Sequence, residues 1–320
     1  KLRQDATLPR LKDYIRWQRS CSGDTPDREH PTFSPISINL DLTSACNFSC
    51  PFCVDSKLIN AGKSLTLAEV KKTVDTLHSH GLLSVILIGG GEPTLHKDFG
   101  DIVRYIKSKQ LQIGIVTNGS RLEKIEAIAE ELHEKDWIRI SIDAAGEEAF
   151  QELHQPKTRV TLIGILEKAR KVKKKNPKVS LGYSFVIVWE GVEINGKKLH
   201  PNMDEIAKSV ERAGEFSFDY ISFKPCLVRF NESQRETLLK NVGKTKEREI
   251  IDQIKRHLEE ARRLAKGPVK ILESSNLKAM LDQGTDQIKK QPKRCHIQFF
   301  RTVVTPFGIF HCPAFRGVKE

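Results

Sequence analysis

The stretch 36–53, ISINLDLTSACNFSCPFC, joins two patterns whose junction decides the fold. Its first half alternates Ile36, Ile38, Leu40 and Leu42 with polar residues, the period of a strand with one buried face. Its second half sets Cys46, Cys50 and Cys53 at the spacing C-x3-C-x2-C. A strand therefore runs straight into a thiol-rich loop.

Outward from this junction, TLAEVKKTVDTLHSHG (66–81) places Thr66 and Glu69 at capping-box spacing. It lines Leu67, Val70, Val74 and Leu77 on one helical stripe and stops at Gly81. A buried strand, SVILI (84–88), follows. The alternation continues with a helix near 98–109, a strand at 111–116, a helix near 121–133 and a strand at 137–142. A helix at 161–175, a strand at 179–188, a helix near 203–213 and a strand at 220–223 complete it. Strands alternating with helices predict an α/β fold with parallel strands, because each crossover needs a helix to cover the sheet. Beyond Phe223 the pattern changes to one long helix over 244–267, stopped by Gly267 and Pro268. A short tail, CHIQFFRTVVTPFGIFHC (295–312), carries a turn signal at Pro306-Phe307-Gly308, which predicts a hairpin with Cys295 and Cys312 at its base.

At 320 residues the chain can bury the core of a barrel-sized domain with an appendage. No run reaches the ~18 uninterrupted apolar residues of a membrane span. No secretory signal can be read either, so a cytoplasmic location is expected. Seven cysteines that cluster rather than disperse in pairs favour metal binding in a reducing compartment over a disulfide scaffold. The net charge of +12, with lysines concentrated at 171–175 and 289–294, suits a polyanionic partner. No nucleic-acid motif or aromatic interleaving accompanies it, and a solvated helix face and a basic loop is the plainer reading.

Thiolate clusters suit zinc or iron–sulfur centres, and four-coordinate metals need four ligands. Three local cysteines leave one position open. A distant residue such as Cys226 would close a structural zinc site; an exchangeable small molecule would make one iron a reaction site. The spacing matches neither the ferredoxin run nor a zinc ribbon. It resembles the radical S-adenosylmethionine (radical SAM) superfamily, whose mark is C-x3-C-x-aromatic-C after the first strand of a partial barrel. Cys46, Cys50, Phe52 and Cys53 match that mark.

The resemblance implies an α/β fold, a partial (β/α)6 TIM-like barrel over 34–224. An N-terminal extension (1–33) precedes it, and a small C-terminal α+β region (225–320) follows. It further implies a [4Fe–4S] cluster on the three cysteines and S-adenosylmethionine (SAM) on the open iron. An external electron donor such as ferredoxin or flavodoxin would start the chemistry, a 5′-deoxyadenosyl radical that abstracts hydrogen from a substrate. In LIGGGEPTLH (87–96), Gly89, Gly90 and Gly91 remove every Cβ, and Glu92 adds a carboxylate suited to an ammonium. That stretch resembles the superfamily's motif for the methionine amino group. Asn118 and Ser141, at later strand ends, are the residues expected on the ribose or the methionine carboxylate. His154, followed by Lys157 and Arg159, stands where peptide-modifying relatives carry an arginine for that carboxylate.

Cys295 and Cys312 resemble the start of a SPASM or Twitch extension, which would make them ligands of a second iron–sulfur cluster. The present G-x3-C is one residue short, and the remaining ligands would lie beyond Glu320. Two hairpin thiols facing each other in a small core is the alternative. Cys226 reads as a buried inert thiol, and Cys21 carries no specific role. Peptide or protein modification is the leading expectation for the substrate, ahead of oxidation or epimerisation of a sugar or nucleoside-like small molecule, and of RNA modification. An iron–sulfur or zinc protein of structure or electron transfer is the non-enzymatic rival.

Overall fold

The structure, a computed structural model, describes residues 5–20, 35–229, 236–237, 243–265, 267–283 and 295–313. Cys21 and the basic cluster at 289–294 lie outside the described residues. The first elements are α1 (Leu8–Ser20), β1 (Ser37–Leu40), α2 (Leu67–Ser79), β2 (Ser84–Leu87), α3 (Phe99–Ser108) and β3 (Gln112–Thr117). Next come α4 (Leu122–Ala127), β4 (Trp137–Ser141), α5 (Glu147–His154), α6 (Leu162–Lys175) and β5 (Ser180–Ile187). A ribbon of β6 (Glu193–Ile194) and β7 (Lys197–Lys198) precedes α7 (Ile206–Glu215) and β8 (Tyr220–Pro225). A second ribbon, β9 (Val228–Arg229) and β10 (Glu236–Thr237), leads to α8 (Lys244–Leu264), β11 (Lys270–Glu273) and α9 (Ser275–Gln283). The described chain closes with the helical turn α10 (Ile297–Phe300), β12 (Arg301–Thr305) and β13 (Gly308–Phe310).

One sheet of nine strands organises the molecule, in the order β11-β8-β5-β4-β3-β2-β1-β12-β13. Every pairing is parallel except the hairpin β12–β13. This is the α/β architecture the alternation predicted, and it is open rather than a closed barrel. The capping box forms as read: Thr66 Oγ1 accepts from Glu69 N, and the Glu69 carboxylate accepts from Thr66 N at 2.7 Å. Helix α3 buries Phe99, Ile102, Val103 and Ile106, a stripe at helical spacing laid on the sheet.

The two faces of the sheet differ. Leu40, Leu87, Ile115, Ile140, Phe185 and Phe223 share the helix-covered face and are fully buried. The opposite face carries polar rows. The register places Arg139, Gly182 and Tyr220 in one row, Ser141, Ser184 and Ser222 in the next, and Val186 with Lys224 above them. Two glycines make room on this inner face: a Cβ on Gly114 would lie 2.3 Å from the Trp137 ring, and one on Gly182 would lie 2.1 Å from the Tyr220 ring.

The sequence reading missed three pieces. Helix α5 follows β4 directly, so the run after ISID is helical. Strand β11 extends the sheet beside β8. The tail hairpin joins the sheet too, with β12 parallel to β1 from Ser37↔Arg301 to Leu40↔Val304. Helix α1 packs Tyr14 and Trp17 against Phe299, Phe300 and Ile36, and the Tyr14 hydroxyl bonds His296 Nδ1.

Candidate functional site

Within the nine-stranded sheet all strands but β13 run the same way, so their C-terminal ends form one rim, and the cysteine loop lies on it. Two neighbours pin the loop. On one side Ser44 N donates to Lys63 O at 2.8 Å, Asn60 N to Ser44 O at 2.6 Å, and Cys46 N to Asn60 Oδ1 at 2.9 Å. On the other, Ser49 N donates to His154 O at 3.2 Å and Lys157 N to Asn47 O at 2.9 Å. Phe48, fully buried, packs on Phe150 and His154. The loop is thus held by backbone bonds that leave its three thiols uncommitted to disulfides.

The triple glycine explains the loop's position. Gly90 has φ +64°, a conformation that side chains rarely adopt. Gly91 lies against the loop itself: a Cβ there would stand 2.2 Å from Ala45 O and 2.7 Å from Thr43 O. Glu92 N donates to that same Ala45 carbonyl at 2.8 Å. The strand-end β2 segment and the cysteine loop therefore meet backbone to backbone, which needs the missing side chains.

Glu92 is 3% exposed. Its Oε1 accepts from Thr94 N (3.1 Å), Thr94 Oγ1 (2.5 Å) and Thr117 Oγ1 (2.7 Å), and its Oε2 accepts from Asn118 N at 2.7 Å. Burial pushes its carboxyl above the usual carboxylate range, against the lowering pull of these donors. Asn118 donates through Nδ2 to Asn47 Oδ1 at 3.0 Å, tying the end of β3 to the cysteine loop. His154 is 2% exposed, with Nδ1 3.3 Å from Cys50 Sγ and Nε2 donating to Ile142 O at 2.8 Å. The Asp143 carboxylate stands 3.4 Å from the same nitrogen. Burial by itself would lower the imidazole; Cys50 and Asp143 outweigh it and hold His154 up at about 10. Gly89, with φ +82°, opens the turn. Ser141 is half-buried at the end of β4, and Phe52 is half-buried with its ring 6.0 Å from that of His154.

The donor set suits a thiolate-bound cluster. Cys46, Cys50 and Cys53 share one loop, with Cys46 and Cys50 near enough to add to the upward shift of Cys53, and Cys226 follows β8. Burial raises Cys46 to about 11 and Cys53 to about 12, so without metal these thiols hold their protons, and loading a metal releases them. Among the described residues no three of His, Cys, Asp and Glu stand in the spacing of a formed metal site. Cys226, fully buried after β8 and raised to about 12 by burial, forms no part of the trio. Cys295 is exposed and precedes α10, while Cys312 follows β13. The hairpin pairs Val303 with Phe310, and α10 intervenes between Cys295 and the paired strand.

A cavity of about 180 Å³ opens beside the loop, lined by Phe52, Val54, Val186, Lys224, Cys226 and Asn276 among others. Phe52 and Val54 follow β1 while Val186 and Lys224 belong to β5 and β8, so the sheet curls enough to bring these ends together. Lys224 Nζ donates to Ser184 Oγ at 2.8 Å. Burial and the neighbouring Arg139 depress the ammonium to about 8. The sequence reading missed both cations. The signal was present, since WIRISI and YISFKP each set a charge inside a strand whose alternate residues are all apolar.

A family model described as the radical SAM superfamily matches residues 40–193. The S-adenosylmethionine-dependent nucleotide dehydratase of Selenomonas ruminantium is 36% identical over 108 residues, which are 33% of this chain and 39% of that enzyme. A probable GTP 3',8-cyclase of Thermoplasma volcanium is 28% identical over 199 residues, 59% of this chain and 58% of the relative. The chain thus spans well under two thirds of the length of these relatives. Among solved structures, Streptococcus suis SuiB bound to S-adenosylmethionine aligns over 99% of this chain and 68% of its own, with a TM-score of 0.66 and 14% identity. That likeness is one of fold.

Proposed function

We propose, from the premise that this chain belongs to the radical SAM superfamily, that it is an enzyme that cleaves SAM reductively and abstracts hydrogen from a substrate seated beside the cysteine loop. The observation that carries the reading is the loop itself: three thiols on one short loop at the rim, uncommitted to disulfides and braced by Gly91, Glu92 and His154. When bound, a [4Fe–4S] cluster on Cys46, Cys50 and Cys53 supplies the electron that splits SAM into methionine and the 5′-deoxyadenosyl radical. The chain's own residues hold, orient and exclude water. Glu92 fixes the end of β3 through Asn118 N and Thr117, and so fixes the rim on which Gly89 and Gly90 would receive the methionine ammonium. Ser141 and Asn118 are assigned to the polar groups of SAM. His154 is assigned to hold Cys50 in place through its Nδ1 contact. Cys295 and Cys312 are proposed as the first ligands of a second cluster, and a ferredoxin or flavodoxin as the electron donor.

For the substrate we place a nucleotide-class small molecule first, since the relatives reported above are named for nucleotide dehydration and GTP cyclisation, and the cavity is small. Peptide modification, the leading expectation from sequence, is the second reading. It is favoured by the fold shared with SuiB, which has also been solved bound to its precursor peptide SuiA. Anaerobic reconstitution tests the chemistry: reduction in the presence of SAM yields 5′-deoxyadenosine and methionine, and Cys50→Ala abolishes both together with cluster iron. Zinc as the sole metal, or iron without deoxyadenosine, would overturn it. Nucleotides and peptides are then compared for stimulation of deoxyadenosine formation.

A further inference from the structure

The inner face of β4, β5 and β8 contains more positive charge than its surroundings neutralise. Arg139 lies in the floor row, and its Nε is buried without a hydrogen-bond partner. Its neighbours are the Trp137 ring, 5.7 Å from the guanidinium carbon, the Tyr220 phenol and the Asp143 carboxylate. Lys224 stands two rows above on the same face and bends back to Ser184 Oγ. Between them lies the serine row, Ser141, Ser184 and Ser222. The carboxylate that acts on both cations, Asp143, bonds neither: Oδ1 accepts from Val186 N at 2.7 Å, and Oδ2 faces His154 at 3.4 Å. Arg139 is half-buried as a whole, but burying its Nε–H without an acceptor is costly, and a native fold keeps such a donor where a ligand supplies the acceptor.

We propose that this face is a phosphoryl subsite, in which Arg139 from below, Lys224 from above and the Ser184 and Ser222 hydroxyls between them hold a phosphate or diphosphate of the substrate. This deepens the nucleotide reading and rests on it for the identity of the reacting molecule. A planar guanidinium offers paired N–H donors to phosphate oxygens, and the ammonium adds a point charge. Two unmatched cations fit a dianion better than a single carboxylate. The β5 and β8 ends that carry Lys224 also line the cavity beside Phe52 and Val54, so a molecule anchored here extends toward the cysteine loop. The anchor is thereby separate from the atoms that react, and the two tasks fall to different residues.

The test uses the full chain, reconstituted anaerobically, with inorganic pyrophosphate as the probe and no SAM present; Trp137 fluorescence and calorimetry read the binding. Arg139→Gln and Lys224→Gln are each expected to weaken pyrophosphate by about tenfold or more while leaving the affinity for SAM unchanged, and Lys224→Arg is expected to retain binding. Thermal melts of each variant check that the fold is kept. Several outcomes overturn the subsite: pyrophosphate binding that ignores both substitutions, glutarate binding more tightly than pyrophosphate, or a loss of SAM affinity in place of pyrophosphate affinity. The last would assign the cations to the methionine carboxylate. Wild-type chain that binds pyrophosphate yet forms no deoxyadenosine would sink the radical reading and leave the subsite standing; the reverse pair of results would sink the subsite alone.

Discussion

The N-terminal rim of the sheet and its inner, C-terminal side treat charge in opposite ways. At the N-terminal rim Asp136, before β4, accepts from Ile113 N at 2.7 Å and from Lys107 Nζ at 2.6 Å. The pair is 9% and 1% exposed. Asp219, before β8, repeats the device: it accepts from Leu181 N at 2.7 Å and from Lys173 Nζ at 2.8 Å. Each carboxylate thus ties the start of a neighbouring strand to a lysine of a packed helix. On the inner side, Arg139 and Lys224 have no such carboxylate of their own, and Glu92 is buried among neutral donors. Charges matched within the fold stabilise it. Charges left unmatched point to a ligand, and a parallel α/β sheet keeps its ligands at the C-terminal ends.

If that contrast is right, the largest loss of stability comes from the matched rim. Asp136→Ala leaves Lys107 buried without its partner and Ile113 N without an acceptor, and we expect a loss of about 3–5 kcal/mol in chemical denaturation. Gly91→Ala comes next. The new Cβ meets backbone rather than a yielding side chain, so we expect about 1–3 kcal/mol of destabilisation and a displaced cysteine loop, read as reduced cluster iron after reconstitution. Arg139→Gln should change stability by no more than about 1 kcal/mol in either direction, since no bonded partner is orphaned. A drop as large as that of Asp136→Ala would break the comparison.

The substitution most diagnostic in pH is at Lys224. Lys224 titrates near 8 in the folded chain against 10.5 for a free lysine. Between those values the unfolded chain binds more protons, so stability rises with pH, and the cost of the buried ammonium is present in full below about 8. Lys224→Met should therefore be the more stable protein at neutral pH, with the gap closing as pH rises toward 10. A gap that widens with pH would refute the depressed lysine.

Much of this could be read directly from residue order. The strand running into the cysteine loop, the capping box of α2 and the alternation through β8 follow from periods of two and 3.6, which are local properties. Helix α5 is hard to read from sequence because it begins just past Asp143 and Ala144, which read as a strand-end loop, and its eight residues are too few for a clear helical period. Strand β11 offers only four residues, and no local period marks so short a strand. The parallel partnership of β12 with β1 joins segments more than 260 positions apart, and nothing in either segment names the other. The cysteine loop was legible because its three ligand-type residues sit within nine positions. The cations were not, because they lie on strands whose nearness depends on register.

The sequence by itself determined the alternation of elements, the thiol-rich loop and the glycine run, since each is written in neighbouring residues with its own chemical preference. Only the tertiary structure decided that Gly91 abuts the Ala45 carbonyl, that His154 stands behind Cys50, and that Arg139 and Lys224 share one face without a carboxylate of their own. The reason is physical: register and curvature are set by packing across the whole sheet, and a one-residue slip of β4 or β8 would have sent Arg139 or Lys224 to the other face.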